Sequence, residues 1–165
     1  AQLKMAQLDD YDFSVGDAGG SLTYPSEAGQ IRKGGYIVIK GRASKVLDVS
    51  TSKTGKHGHA KCNFTAIDIF TNKKYEDIIP SSHNADIPFV VRKEYSLVDI
   101  SEDDFCSLMT EDGDVREDVK LPDLPEGFAR QIREAFGNEA GKTYSVSVMA
   151  SMGHEQIIHI KEDTS

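Results

Sequence analysis

Residues 50–61 read STSKTGKHGHAK, from Ser50 to Lys61. The stretch holds Lys53, Lys56 and Lys61, the histidines His57 and His59, and the glycines Gly55 and Gly58. It has no acid and no large apolar side chain. Such a segment contributes little to a core, so it belongs outside one. Its flanks are strand-like. Lys45–Thr51 is rich in β-branched residues, and Cys62–Phe70 alternates, with Phe64, Ala66 and Phe70 on one face and Ile67 and Ile69 on the other. A polar, glycine-containing loop between two strands is a hairpin tip. Gly55 and Gly58 give the backbone freedom to turn around Lys56-His57 and hold the lysine outward.

Outward from the hairpin, the pattern stays β-rich. Tyr36–Lys40 reads as a strand after the Gly34-Gly35 turn, and Tyr75–Ile79 follows the turn Thr71–Lys74. Pro80 and Pro88 bracket a Ser-Ser-His-Asn segment that closes a first unit, residues 31–88. Residues 1–30 lack periodicity and carry Asp9, Asp10 and Asp12, which predicts a flexible acidic tail. A second unit, residues 90–165, contains strands at Tyr95–Ile100, Phe105–Thr110, Val115–Leu121, Thr143–Met149 and Glu155–Ile160. Between them Pro125 opens the one predicted helix, with Phe128, Ile132 and Phe136 as its apolar stripe and Gly137 at its end. That order is compatible with a five-stranded barrel of the oligonucleotide-binding type.

Charge divides the chain unevenly. The formal net charge is −8, yet residues 32–74 carry ten basic and two acidic side chains, whereas residues 75–165 carry eight basic and twenty acidic ones. A basic block inside an acidic protein is the footprint expected of a phosphate-bearing partner, although a solvated basic face gives the same count. No run approaches the ~20 apolar residues of a membrane-spanning helix, and no basic segment followed by an apolar stretch predicts secretion. Two cysteines, Cys62 and Cys106, read as free thiols in a reducing compartment.

Enzymatic readings of the loop are weak. Gly55-Lys56 lacks a phosphate-binding loop's earlier glycine, since Ser50 stands there, and His57 replaces its Ser or Thr. His57, His59 and Cys62 fall short of the four ligands of a structural zinc site, so no metal is expected. Cys62 with His59 lacks an orienting acid and an oxyanion hole. Asp103-Asp104 and Glu117-Asp118 read as solvated hairpin charges. A general single-strand RNA-binding module is the alternative to a dedicated factor. It needs exposed aromatics along a basic groove, and the second unit is acidic.

The stretch STSKTGKHGHAK resembles the hypusine loop of the eukaryotic translation initiation factor 5A family, relatives of bacterial elongation factor P. The segments Asp12-Phe13, Gly16–Gly19, Asp68–Thr71, Lys74–Asp77, Pro80-Ser81, His83-Asn84, Val115–Asp118 and Leu121-Pro122 resemble the same family. The resemblance implies a mainly β protein with an N-terminal SH3-like barrel and a C-terminal OB-fold domain, and a non-enzymatic, cytoplasmic factor to which nuclear passage is open. It implies that Lys56 becomes hypusine, supported by Lys53, Thr54, Gly55, His57, Gly58, His59 and Lys61. No cofactor is implied beyond that covalent group, made from spermidine by deoxyhypusine synthase and deoxyhypusine hydroxylase. The implied partners are the ribosome and the P-site peptidyl-tRNA, with no membrane insertion. The implied work is peptide-bond formation on stalled chains, notably at proline runs, and support of termination.

Overall fold

The computed structural model describes residues 22–53, 58–137 and 141–163. The chain divides between Phe89 and Val90 into two compact units.

In the first unit, β1 (Thr23–Glu27) runs into a 3-10 turn at Ala28–Gln30, followed by β2 (Tyr36–Ile39), β3 (Arg42–Lys53), β4 (Ala60–Asp68), β5 (Lys74–Pro80) and β6 (Asn84–Pro88). Strands β2-β3-β4-β5 form one antiparallel sheet, and β1 pairs with β6 in a second. The sheet curls into the half-barrel of an SH3-like domain. Its inner face supplies Ile37, Ile39, Val46, Cys62, Phe64 and Ala66 to a core closed by Ala28, Ile31, Ala85 and Ile87. Ordered structure therefore starts before Ile31. Residues 23–30, read from the sequence as tail, form a strand and a turn, and Ala28 is fully buried. The expected tail's residues 1–21 lie outside the described residues.

Strand β4 ends at Asp68, two residues earlier than its alternation predicts. The Asp68 carboxylate accepts the backbone N–H groups of Phe70 at 2.9 Å and Thr71 at 3.3 Å, which turns the chain out of the sheet. Its other oxygen accepts Arg42 Nε at 2.7 Å. Burial alone would raise the pKa of Asp68, but these donors from Phe70, Arg42 and Thr71 outweigh it and hold the carboxyl below its ordinary value. Phe70, past the strand end, still packs inward.

The second unit comprises β7 (Val90–Ile100), β8 (Phe105–Met109), β9 (Val115–Lys120), α1 (Phe128–Gly137), β10 (Tyr144–Ser151) and β11 (His154–Glu162). All five strands are antiparallel in the order β11-β10-β7-β8-β9. Register breaks at Leu97/Asp99, Cys106/Leu108 and Ser147/Val148 bend the sheet. Its two outer strands are tied by Arg116 on β9, whose guanidinium donates to Glu155 on β11 at 2.8 and 2.9 Å and to Asp118 at 2.7 Å. The same group lies 5.9 Å from the centre of the Tyr95 ring on β7. This is an OB-fold. The hydrogen bond from Arg116 holds the Asp118 carboxyl below its ordinary pKa.

Helix α1 presents fully buried Ile132, with Phe128 and Phe136 packed beside it, so the expected apolar stripe faces the core. The helix starts at Phe128, not at Pro125. Gly127 has φ +86°, a left-handed conformation that separates the Pro125 turn from the helical run. Cys106 is buried in this core, and burial pushes its thiol up to about 11, leaving it protonated and unreactive near neutrality.

Each unit thus has its own apolar cluster. Fragments 1–89 and 90–165 are each expected to give dispersed amide NMR spectra, because neither core borrows side chains from the other cluster. Random-coil spectra from both would overturn the division. The first fragment is cut after Phe89 because its N–H donates to Leu22 O at 3.2 Å and its ring packs 5.2 Å from that of Tyr24.

Candidate functional site at the end of the β3–β4 ribbon

Strand β3 is twelve residues long, but β2 pairs only with Arg42–Lys45. Beyond Val46 its sheet partner is β4, in the register Val49↔Phe64, Ser50↔Asn63, Thr51↔Cys62, Ser52↔Lys61 and Lys53↔Ala60. At ~3.3 Å per residue the span Val46–Lys53 covers roughly 23 Å. Ser50, Thr51, Ser52 and Lys53 are all exposed. On β3 the inward-facing apolar side chains end at Val49, whereas on β4 Cys62, opposite Thr51, still belongs to the core; the ribbon continues past that level, and there the sequence abandons apolar alternation.

Residues 54–59 connect Lys53 to Ala60. Of the expected site residues, Lys53, Gly58, His59 and Lys61 are described. Lys53, His59 and Lys61 are exposed and Gly58 is half-buried. Thr54, Gly55, Lys56 and His57 lie outside the described residues. The register separates the two described lysines. Lys61 is opposite Ser52, and Lys53 is opposite Ala60, one position along. Alternation puts them on opposite faces of the ribbon, so each serves a different side of any chain lying along it.

Three further contributors are not among the expected site residues. Asn63 Nδ2 donates toward Ser50 O at 3.5 Å and Ser52 Oγ at 3.4 Å, holding the exposed β3 arm. Ser81 N–H donates to Ala60 O at 2.9 Å, extending the grip on β4 beyond β5. Gly29 N–H in turn donates to Ser81 O at 3.0 Å. The outward alternation of Asn63 and the Pro80-Ser81 resemblance were the signals open to detection beforehand; neither pointed to these hydrogen bonds. Cys62 is buried with Sγ 3.3 Å from Ser81 Oγ, on the core side of β4. Among the described residues no three His, Cys, Asp or Glu side chains gather as a metal site.

The N-terminal domain model of the translation initiation factor 5A-like proteins matches residues 21–83. The model described as eukaryotic elongation factor 5A hypusine, DNA-binding OB fold, matches residues 89–161. The chain belongs to the eukaryotic translation initiation factor 5A family. Eukaryotic translation initiation factor 5A-3 of Arabidopsis thaliana is 59% identical over 154 residues, covering 93% of this chain and 96% of that one. Eukaryotic translation initiation factor 5A of Zea mays is 57% identical, covering 96% and 98%. Among solved structures, a translation initiation factor eif-5a family protein from Naegleria fowleri superposes with a TM-score of 0.76 at 51% identity, covering 86% of this chain and 99% of that one. The eukaryotic translation initiation factor 5A from Methanococcus jannaschii gives 0.62 at 28% identity, covering 85% and 96%. Membership in this family makes the chain a translation factor of the hypusine type. Its relatives are translation factors, and no helix among the described residues is long and apolar enough to cross a membrane.

Proposed function

We propose that this translation factor acts on the ribosome beside the P-site peptidyl-tRNA, and that Lys56, converted to hypusine, is its working group. The carrying observation is a β3–β4 ribbon whose β3 arm is exposed from Ser50 to Lys53 and whose connecting residues 54–59 include Lys56, in a chain of the 5A family. An aminobutyl group moves from spermidine to Lys56 Nζ. A C–N bond forms there, the bond to the secondary nitrogen of spermidine breaks, and the three-carbon diamine leaves with the lysine's proton. Deoxyhypusine synthase performs this step. Deoxyhypusine hydroxylase then adds a hydroxyl, with dioxygen and a two-electron reductant supplying the oxygen and balancing the electrons.

The physics favours this use of a lysine. Four added carbons and a nitrogen extend the reach by about 5–6 Å, from ordinary bond lengths. Two amines then stand in series on a thin chain that can follow a tRNA end. The group is positional: it steadies the peptidyl-tRNA in a reactive geometry and donates no proton that the chemistry requires, so the protein itself is not an enzyme. The factor needs no resident metal or cofactor and works in the cytoplasm. Reconstituted synthesis of a proline-run peptide tests the reading. Modified protein is expected to relieve the stall and unmodified protein to leave it; equal acceleration by both would refute it.

The basic block serves as the phosphate-facing side. Ribosome affinity is expected to fall with salt, and Lys53→Ala and Lys61→Ala to weaken it more than Lys142→Ala or Lys161→Ala. The two latter amines are already partnered, with Glu162 at 2.6 Å and Glu94 at 3.7 Å. Equal losses in equilibrium binding at all four positions would remove the block's special role.

A further inference from the structure

We propose that the N-terminal strap, β1 with its 3-10 turn, acts through Ser81 as a clamp that aims the end of the β3–β4 ribbon, making Gly29 and Ser81 positioning residues for modification of Lys56. The proposal rests on the reading of Lys56 given above.

The clamp is a relay of backbone bonds. Strand β1 pairs with β6 from Thr23↔Pro88 to Glu27↔Asn84. Past the end of that sheet the strap keeps following the same chain: Ala28 N–H donates to His83 O at 2.8 Å, and Gly29 N–H to Ser81 O at 3.0 Å. Ser81 passes the grip on, its N–H reaching Ala60 O at 2.9 Å. Its hydroxyl meets buried Cys62 Sγ at 3.3 Å. Ala60 is the residue at which β4 begins, opposite Lys53, and it lies four positions from Lys56 in the chain.

The two arms of the ribbon are held unequally. The β4 arm is paired with β5 as far as Lys61↔Pro80 and gains the Ser81 bond at Ala60. On the β3 arm, Ser52 and Lys53 have β4 as their strand partner and are exposed. The β4 arm is therefore held on both sides as far as Ala60, and its last tether is Ser81.

Gly29 sets how closely the strap presses on that tether. A Cβ there would lie 3.2 Å from Ser81 O and 3.5 Å from Ser81 Cβ, so Ser81 must yield by a few tenths of an ångström. Any such shift passes straight into the bond to Ala60. Displacements near 1 Å at a reacting group cost up to ~10²-fold in rate, so even a fraction of that matters to a modifying enzyme that must receive one lysine.

The test uses the full chain, purified deoxyhypusine synthase and labelled spermidine, with Gly29→Ala against Gly35→Ala. The second variant is an equally tight insult in the same unit, its Cβ meeting Arg32 O at 3.1 Å, away from the ribbon's end. Gly29→Ala is expected to lower kcat/KM for the chain about tenfold with KM for spermidine unchanged. Gly35→Ala is expected to be modified at the parental rate. Equal rates in the two variants, or a parental rate in Gly29→Ala, would overturn the clamp. Amide hydrogen exchange on the parent reads it without any variant: Ser81 N–H should be protected well beyond that of Lys53, and an unprotected Ser81 would equally overturn it. A parent that takes up no aminobutyl group refutes the reading of Lys56 instead, while the exchange result still decides the clamp.

Discussion

Lys56→Arg is expected to fold and melt like the parent, to bind ribosomes weakly, and to lose relief of stalling at proline runs by about a hundredfold or more in rate. Lys56 belongs to the six residues that join Lys53 to Ala60, a stretch with no large apolar side chain, so the substitution removes no apolar residue of the kind that builds a core. Arginine keeps the positive charge, which preserves long-range attraction to phosphate. It removes the primary amine that the aminobutyl transfer needs, and it is shorter than the extended diamine. Binding and stall relief are thus separated by one side chain. The deciding assay compares modified parent, unmodified parent and Lys56→Arg protein in reconstituted synthesis of a proline-run peptide, with ribosome affinity measured alongside. If all three accelerate synthesis equally, the modified lysine is not the working group.

Asp68→Ala is expected to destabilise the first unit by about 2–4 kcal/mol. The carboxylate is fully buried, while Arg42 is nearly half exposed. Its loss leaves the N–H groups of Phe70 and Thr71 without their acceptor at the turn that delivers β5 to β4. Arg42 can be resolvated, so it adds less than a buried cation would. For a unit of this size such a loss corresponds to a fall of roughly 10–25 °C in Tm. Asp68→Asn retains an acceptor and should cost less. The pH dependence has a definite sign. The folded pKa is lower than the ordinary 3.8, so the carboxylate's stabilisation is fully present above that value and is lost as pH falls through the folded pKa. The stability gap between parent and Asp68→Asn should therefore be flat near neutrality and narrow below about pH 4. Thermal unfolding of both proteins across that range checks it; a gap that widens in acid would contradict the assignment.

The same residue shows where reading the sequence stops. In Cys62–Phe70 the alternation of Cys62, Phe64 and Ala66 is legible because one face is buried, and a slip of one residue would expose all of them. The same alternation puts position 68 inward, but nothing in it says why a charge is tolerated there, since that depends on Arg42 arriving from another strand. The helix shows the converse. Its stripe of Phe128, Ile132 and Phe136 is a local period and was readable, whereas its first turn was placed too early because proline suits both a helix start and the turn that precedes one. Pairing of Arg116 with Glu155 across the barrel's outer strands was equally hidden, since both look like ordinary surface charges.

By itself the sequence determined the periodic and the compositional: β-rich units meeting near residue 89, one amphipathic helix, and a cationic loop with no large apolar side chain between two strands. These are properties of neighbouring residues, and neighbours are what a sequence displays. The tertiary structure decided the rest. Residues 23–30 became a strap, β6 became its partner, and Lys53 and Lys61 were dealt to opposite faces of the ribbon. The strap is held largely by backbone N–H and C=O groups, from Glu27↔Asn84 to Gly29 on Ser81, which every residue but proline can offer. Bonds of that kind leave no side-chain signature, and only the folded chain brings residues more than fifty positions apart within reach to make them.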